Sequence, residues 1–268
     1  MIDQRSQKSV FGTEEWAKYS ANCINGCLHN CKYCYAKEMA IRYGRKNPSN
    51  WEEEVINKKI LNKNFRKRIG RFMFPTSHDI TPNVLDECMS FMENILQPGN
   101  DVLIVTKPHL SCIEAICQKF APYRQQMLFR FTIGSFHDEI LRFWEPNAPS
   151  FNERLRSLTY AHSMGFATSV SCEPLLSNDA DDLIRVLLPN VTDTIWIGKA
   201  NKLPSRLKMN GYTDEETIRR SEKLMADLSK DYFIDLYDRY KENHQIRWKE
   251  SVKKIVGITV PVESGLDI

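Results

Sequence analysis

Short apolar runs alternate with longer stretches of helical periodicity along most of this chain. Six of the runs are rich in β-branched and aromatic residues and have the length of a strand. They are EWAKYSA (15–21), RFMFPTS (71–77), DVLIVTK (101–107), MLFRFTIGS (127–135), FATSVSC (166–172) and TIWIGKAN (194–201). Because nearly every position within a run is apolar, we predict strands buried on both faces, as in a parallel sheet.

The stretches between the runs have the signals of helices. Residues 83–96 carry apolar side chains at close to helical spacing. Ser111 is a predicted N-cap, and Ser150 with Glu153 three positions later fits a capping box. Strand and helix alternate about six times, which predicts an α/β fold with helices outside a parallel sheet. We expect one domain over residues 1–255, with a late strand and short helix, and a C-terminal tail over 256–268.

Polar side chains gather where the predicted strands end. They are Thr76, Ser77, His78 and Asp79 after the second run, Thr106 and Lys107 after the third, Thr132 and Ser135 in the fourth, Cys172 and Glu173 after the fifth, and Lys199 and Asn201 after the sixth. In parallel α/β folds the carboxyl ends of the strands meet at one edge, where functional sites form. We therefore expect a site at this edge.

Composition indicates an ordinary soluble protein. The 268 residues are 42% hydrophobic and 26% charged, and the net charge of +3 is too small to imply nucleic-acid binding by itself. The N-terminus has no apolar signal segment, and no run approaches the roughly 20 residues that span a bilayer. We expect a cytoplasmic protein with no membrane contact. Thiols stay reduced there, so the eight cysteines are read as metal ligands, buried residues or reactive thiols.

Four of those cysteines lie in the segment CINGCLHNCKYC, with spacing C-x3-C-x3-C-x2-C from Cys23 to Cys34. Three interpretations are open: a structural zinc site that uses Cys23 as its fourth ligand, an iron–sulfur cluster with four cysteine ligands, and a cluster with three that leaves one iron free. Zinc ribbons pair two C-x2-C knuckles, and this chain has one, which disfavours zinc.

The segment GCLHNCKYCYA resembles the signature of the radical SAM superfamily, and Tyr33 holds the aromatic position before the last cysteine. The resemblance implies a [4Fe-4S] cluster on Cys27, Cys31 and Cys34, with S-adenosyl-L-methionine (SAM) chelating the open iron. Cys23 falls outside the motif. An electron from a donor such as flavodoxin or ferredoxin would cleave SAM to methionine and a 5′-deoxyadenosyl radical, which abstracts a hydrogen from the substrate.

Further segments, FTIGS, FWEPNAPSFNERL and IWIGKAN, extend the resemblance to the spore photoproduct lyase-like group over roughly residues 16–255. The resemblance implies a partial (β/α)6 TIM-like barrel. In true spore photoproduct lyase a cysteine donates a hydrogen atom from the position that Pro75 occupies here. This departure argues against repair of spore photoproduct, and Cys172 or Tyr35 is the predicted substitute donor.

The resemblance also implies which residues contact SAM. These are Tyr33, Ser77, Asp79, Ser135, Glu173, Lys199 and Asn201. The competing interpretation for each is a helix cap or a surface polar group, and for Asp79 it is capping of the helix that starts at Thr81. Glu145 and Arg154 are read as structural, and His29 as part of the loop structure. His78 and His137 are weak acid–base candidates.

Residues 58–71, KKILNKNFRKRIGR, contain seven Lys or Arg residues. Arg66, Lys67 and Arg68 are candidates for contact with a nucleic-acid backbone, and Phe65 and Trp51 are candidates for base stacking. The competing interpretation is a solvated helix face. By analogy with the lyase, we favour a nucleobase, DNA, RNA or nucleotide substrate. The alternatives are a radical SAM enzyme that acts on a peptide or small metabolite, and a non-catalytic zinc-bound nucleic-acid-binding module.

Overall fold

The computed structural model describes residues 10–267. In chain order its strands are β1 (Tyr19–Ser20), β2 (Ile24–Asn25), β3 (Val55–Ile56), β4 (Phe72–Phe74), β5 (Val102–Thr106), β6 (Met127–Thr132), β7 (Ala167–Cys172), β8 (Ile195–Ile197) and β9 (Ile246–Trp248). Seven of them form one parallel sheet in the order β1-β4-β5-β6-β7-β8-β9, and β2 pairs with β3 in a small antiparallel ribbon. The large sheet is open, with β1 and β9 at its two edges.

Helices connect the parallel strands. They are α1 (Tyr35–Arg42), α2 (Lys58–Leu61), α3 (Leu85–Leu96), α4 (Leu110–Lys119), α5 (Asp138–Trp144), α6 (Phe151–Ser163), α7 (Ala180–Leu187), α8 (Leu203–Met209), α9 (Glu215–Asp227), α10 (Lys230–Tyr240) and α11 (Glu250–Val256). The Ser150 side chain caps α6 by accepting from the amide of Glu153, as predicted. The predicted cap Ser111 is wrong: the N-cap of α4 is His109, two residues earlier, and the helix begins at Leu110. Over residues 10–267 no helix has the length and apolar character needed to cross a membrane.

Both faces of the sheet are buried, and the alternation of side chains along the strands explains why. Phe72, Phe74 and Ile104 point into the main core between sheet and helices. Met73 and Leu103, at the intervening positions, join a second cluster on the other face, which also contains Trp16 and Trp196. Since each face has its own apolar core, the strands read as continuous apolar runs, and the predicted α/β fold with a parallel sheet is confirmed.

Two parts of the fold differ from expectation. In the first predicted strand only Tyr19–Ser20 is extended, because the chain before it forms a 3-10 turn over Gly12–Glu15. The late strand, β9, adds a seventh parallel strand. After α11 the chain returns to the amino edge of the sheet, where the amide of Gly265 donates to Glu14 and Asp267 accepts from the buried Arg130. The boundary at residues 255 and 256 stays a prediction.

Candidate active site

The cysteine segment forms the loop between β2 and α1. Cys27 and Cys31 are buried, and Cys34 is half-buried and caps α1 by accepting a hydrogen bond from the amide of Lys37. Gly26 begins the loop with φ of +100°, and a Cβ at this position would lie 2.2 Å from the carbonyl oxygen of Glu53. Only glycine fits there, so the loop is held against residues 51–53 at its start.

The three thiols of the loop influence one another electrostatically. Burial raises the pKa of Cys27 well above its usual value, and the neighbouring Asp79, Cys31 and Cys34 add to the effect. Burial likewise raises the pKa of Cys31 and of Cys34. Thiols that raise each other's pKa lie within electrostatic reach of one another, and a metal centre would take them as thiolates with release of their protons. Three neighbouring sulfurs in a single buried loop fit a cluster with three cysteine ligands.

Cys23 belongs to a different group of side chains. Its buried thiol lies near the thiol of Cys88 on α3 and near the imidazole of His78. The contact with Cys88, together with the imidazole, lowers the pKa of Cys23 to about 6. Its carbonyl oxygen accepts from the amide of Asn57, at 2.8 Å, next to the β2–β3 pairing. Cys23 therefore faces α3 rather than the loop that holds the other three thiols.

Asp79, after β4, braces the cysteine loop. Its Oδ2 lies 2.8 Å from Nδ1 of His29 and 3.8 Å from the Cys27 sulfur. Its Oδ1 accepts from the amide of Lys107, at 2.8 Å, and from the Thr106 hydroxyl, at 3.0 Å. Burial opposes ionisation of this carboxyl, yet Lys107, whose Nζ lies 3.5 Å away, and His29 hold its pKa well below the usual range. Asp79 is thus an ionised carboxylate that accepts hydrogen bonds from His29, Thr106 and Lys107 and holds these residues together.

A second histidine extends this network. Nε2 of His29 lies 2.9 Å from Nε2 of His109, the residue before α4. Nδ1 of His29 donates to the Asp79 carboxylate, and a second hydrogen bond joins the Nε2 atoms of the two rings. Burial and the neighbouring His29 lower the pKa of His109 to about 4, so this ring stays neutral. The cysteine loop is therefore tied to the ends of two neighbouring strands.

Tyr33 fixes the other side of the loop. Its buried hydroxyl donates to Oε1 of Glu145. The second carboxylate oxygen of Glu145 lies 2.5 Å from Nη2 of Arg154, and both side chains are fully buried. Glu145 and Arg154 thus play the structural role that was predicted for them.

Comparison with known proteins identifies the family. The model of the Radical SAM superfamily matches residues 21–187. The chain belongs to the radical SAM superfamily. It is therefore a radical enzyme, and the superfamily implies an iron–sulfur cluster and SAM.

Two relatives in sequence are uncharacterised. A protein of Acidianus two-tailed virus is 21% identical over 246 residues, which cover 83% of this chain and 80% of the relative. A protein of Methanocaldococcus jannaschii is 26% identical over 174 residues, which cover 62% of this chain and 63% of the relative. The resemblance therefore continues past the family's cysteine motif without naming a substrate.

Solved radical SAM structures share the fold. Spore photoproduct lyase complexed with dinucleoside spore photoproduct superposes with a TM-score of 0.56 at 14% identity, over 91% of this chain and 79% of the lyase. Streptococcus suis SuiB bound to S-adenosylmethionine gives a TM-score of 0.50 at 11% identity, over 84% of this chain and 48% of SuiB. These likenesses, with the open seven-stranded sheet, confirm the predicted partial TIM-like barrel.

Most of the predicted SAM contacts lie together at the carboxyl edge of the radical SAM sheet. The amide of Ser77 donates to Oδ1 of Asn22, at 2.8 Å. The hydroxyl of Ser135, buried after β6, accepts from Ser177. Glu173 follows β7 and lies 3.5 Å from Nζ of Lys249.

Lys199 and Asn201 follow β8 at the same edge. The amide of Lys199 donates to the Ser251 hydroxyl, and the Asn201 side chain donates to Glu250. The alternative role of Asp79, capping the helix at Thr81, is wrong, because no side chain caps that turn. The other SAM contacts remain predictions.

The two predicted hydrogen donors lie in different surroundings. Tyr35 starts α1 beside Cys34, and its hydroxyl donates to the carbonyl oxygen of Thr76. Cys172 ends β7 opposite Ile197 in the sheet register, and both side chains belong to the core between sheet and helices. Burial raises the pKa of Cys172 to about 12. The structure brings Tyr35, and not Cys172, to the cysteine loop.

The predicted nucleic-acid contacts lie at the opposite edge of the sheet. The amide of Arg68 donates to Oδ1 of Asn100, the side chain of Asn100 donates to the carbonyl of Arg66, and Nζ of Lys67 donates to Gly99. Residues 99 and 100 come just before β5, so these cations lie at the amino edge of the sheet. The structure does not bring them to the cysteines, and their role stays a prediction.

Proposed function

We propose that this chain holds a [4Fe-4S] cluster on Cys27, Cys31 and Cys34, binds SAM at the remaining iron, and abstracts a hydrogen from a nucleobase or nucleic-acid substrate. The observation that carries the proposal is the set of three neighbouring thiols in one loop, two of them buried and one half-buried, with Cys23 turned toward α3. When bound, the cluster and SAM supply a one-electron cleavage of SAM that leads to hydrogen abstraction. An electron donor such as flavodoxin or ferredoxin is the proposed partner.

The chain's own residues hold the loop in place for this chemistry. Asp79 and His29 fix the segment next to Cys27, and the buried Lys107 places a positive charge near Cys31, where it favours the thiolate. Because all acceptor positions of Asp79 are occupied by protein donors, we assign it to positioning the loop. Ser77, Ser135, Glu173, Lys199 and Asn201, with Tyr33, are the proposed lining of the SAM site.

Tyr35 is the proposed intermediate hydrogen carrier. Its ring is 43% exposed at the start of α1, and its hydroxyl lies against the loop that follows β4. A tyrosine phenol is protonated at neutral pH, so Tyr35 keeps its O–H. A phenol at this place is positioned to return a hydrogen atom to a substrate radical, a role that Pro75 does not fill.

Formation of 5′-deoxyadenosine tests the proposal. The protein is reconstituted anaerobically with iron and sulfide and given SAM and a strong reductant. Wild type and Cys23→Ala are expected to bind iron, absorb at about 400 nm and form 5′-deoxyadenosine, whereas Cys27→Ala/Cys31→Ala/Cys34→Ala is expected to show none of these three properties. Retained zinc without 5′-deoxyadenosine in wild type, or loss of iron in Cys23→Ala, would overturn the three-cysteine assignment.

A further inference from the structure

A cavity of about 500 Å³ lies beside the carboxyl end of β1. Its walls come from residues 20–25, from Asn57 and Ile60 around the start of α2, and from Phe65, Phe91 and Ser77. This volume is in the range of small-molecule sites. Ser77 belongs to the loop after β4 that also carries Asp79, so the cavity adjoins the cysteine loop without being part of it.

The cavity is positively charged. Arg45 and Lys63 line it, and neither forms an ion pair with another side chain in residues 10–267. Among the described residues that line the cavity, none is Asp or Glu. Two unpaired cations without a nearby carboxylate favour an anionic group such as a phosphate.

The remaining lining suits a nucleobase. Within residues 10–267 the side-chain amide of Asn25 has no hydrogen-bond partner, and Asn57 uses only its oxygen, which accepts from the amide of Ile60. Both asparagines therefore have free donors. The half-buried ring of Phe65, which packs edge-on against Phe72 and Phe91 and has Nζ of Lys63 5.4 Å from its centre, forms an aromatic wall of the cavity. Amides that pair with base edges and an aromatic ring that stacks are the groups that recognise nucleobases.

We propose that this cavity binds one nucleoside phosphate unit of the substrate, with the phosphate on Arg45 and Lys63 and the base against Phe65 between Asn25 and Asn57. This inference rests on the proposed function for its link to catalysis. It replaces Arg66, Lys67 and Arg68 as the expected anion contacts, because these three residues do not line the cavity and contact residues 99 and 100 instead. The bound nucleoside phosphate is either a free nucleotide or one residue of a nucleic-acid strand.

Calorimetric titration of the anaerobically reconstituted protein, without SAM, tests the site. The probes are thymidine, thymidine 5′-monophosphate and a short oligothymidylate. We expect the monophosphate to bind roughly tenfold more tightly than thymidine, and Arg45→Gln/Lys63→Gln to remove that advantage. The matched control Arg239→Gln/Lys241→Gln, at the exposed C-terminal end of α10, is expected to stay within about twofold of wild type.

Two isoleucine-to-glutamate variants distinguish binding in the cavity from a general effect of added negative charge on the protein. Ile60→Glu places a carboxylate in the cavity and is expected to weaken monophosphate binding about tenfold. Ile69→Glu makes the same change at a position that is 89% exposed and away from the cavity, and is expected to have little effect. Equal losses in the two variants, or no binding of any probe, would overturn the proposal.

The comparison of probes identifies the source. Oligothymidylate that binds more than tenfold more tightly than the monophosphate, and is weakened by the same cavity variants, indicates a strand. Equal affinities indicate a free nucleotide. Loss of oligothymidylate binding in Arg66→Gln/Lys67→Gln, with the cavity variants unaffected, overturns the cavity assignment. Formation of 5′-deoxyadenosine without nucleotide binding refutes this inference alone, and nucleotide binding without 5′-deoxyadenosine refutes the proposed function alone.

Discussion

Replacement of Arg154 by methionine would leave a buried carboxylate without its counter-charge. Arg154 and Glu145 are both fully buried, with Nη2 and Oε2 2.5 Å apart. Arg154 also donates from Nε to the carbonyl of Pro149 at 2.8 Å and from Nη1 to the carbonyl of Thr132 at 3.2 Å. The substitution therefore removes one charge and the donors to two buried carbonyls, while the Glu145 carboxylate keeps only the hydroxyl of Tyr33.

Breaking a buried ion pair on one side costs about 3–5 kcal/mol. With a urea m-value of about 3 kcal/mol/M, the unfolding midpoint of Arg154→Met is expected to fall by roughly 1–1.7 M. The control is Arg219→Met, which breaks an equally short pair with Glu216, at 2.6 Å, but at a side chain that is 63% exposed. That variant is expected to change the free energy of unfolding by less than about 0.5 kcal/mol.

A double variant distinguishes the unpaired charge from lost packing. Glu145→Leu/Arg154→Met removes both charges, so it is expected to be more stable than Arg154→Met alone, although the Tyr33 hydroxyl then loses its acceptor. All variants are compared by urea unfolding followed by circular dichroism. Two results would contradict the reasoning: a loss of unfolding free energy below about 1 kcal/mol in Arg154→Met, or a double variant that is no more stable than the single one. Either would show that an unpaired Glu145 carboxylate is not the cause of the destabilisation.

Three further predictions follow from single side chains. Ser150→Ala removes the N-cap of α6 and is expected to lower the free energy of unfolding by about 1 kcal/mol in the same urea assay. Asn22→Ala removes the acceptor for the amides of Thr76 and Ser77, and faster hydrogen exchange at those two amides, with a loss of about 1–3 kcal/mol, is expected. Because burial raises the pKa of Cys172 to about 12, mass spectrometry is expected to find it unalkylated by iodoacetamide at about pH 8 until urea unfolds the protein, and equal labelling of the native protein would contradict its burial.

The fold was predictable where the hydrophobic pattern reflects burial on two faces. In β5 and β6 nearly every side chain is buried, so the runs gave the strands directly. The run EWAKYSA misled for the same reason: Trp16 and Ala17 are buried against Met73 and Trp196, but the chain before them turns as a 3-10 helix. A high content of aromatic and apolar residues predicts that a segment is buried. It predicts an extended backbone only where a neighbouring strand can supply the hydrogen bonds.

The site was predictable only in its local part. The three cysteines and Tyr33 lie within one loop, so their spacing carries the information. The partners that hold this loop come from far along the chain: Asp79 is 50 residues from His29, and His109 is 80 residues from it. No spacing rule links these residues, although Asp79 was visible as a polar residue at the end of a strand. Lys107 ends the third apolar run, where its charge was noted but its contact with Asp79 was not.

The high density of Lys and Arg in one segment was also misleading, because it suggested a single positively charged surface. Residues 58–71 read as one basic face, but the segment passes from the β2–β3 ribbon at the carboxyl edge of the sheet to the start of β4 at the amino edge. Lys63 therefore lines the cavity near the cysteine loop, whereas Lys67 and Arg68 contact residues 99 and 100. The number of cations in a segment says nothing about which of them one ligand can reach.

Whether three or four cysteines serve the metal centre depends on where Cys23 points. Three residues separate Cys23 from Cys27, and three separate Cys27 from Cys31, so spacing alone does not exclude Cys23 as a metal ligand. The hydrogen bond from the amide of Asn57 to its carbonyl oxygen fixes the backbone at the start of the β2–β3 ribbon, and the side chain then meets Cys88 and His78. Because the Cys23 thiol lies against Cys88 of α3, we propose that the fold, rather than the spacing of the motif, leaves Cys27, Cys31 and Cys34 as the donor set.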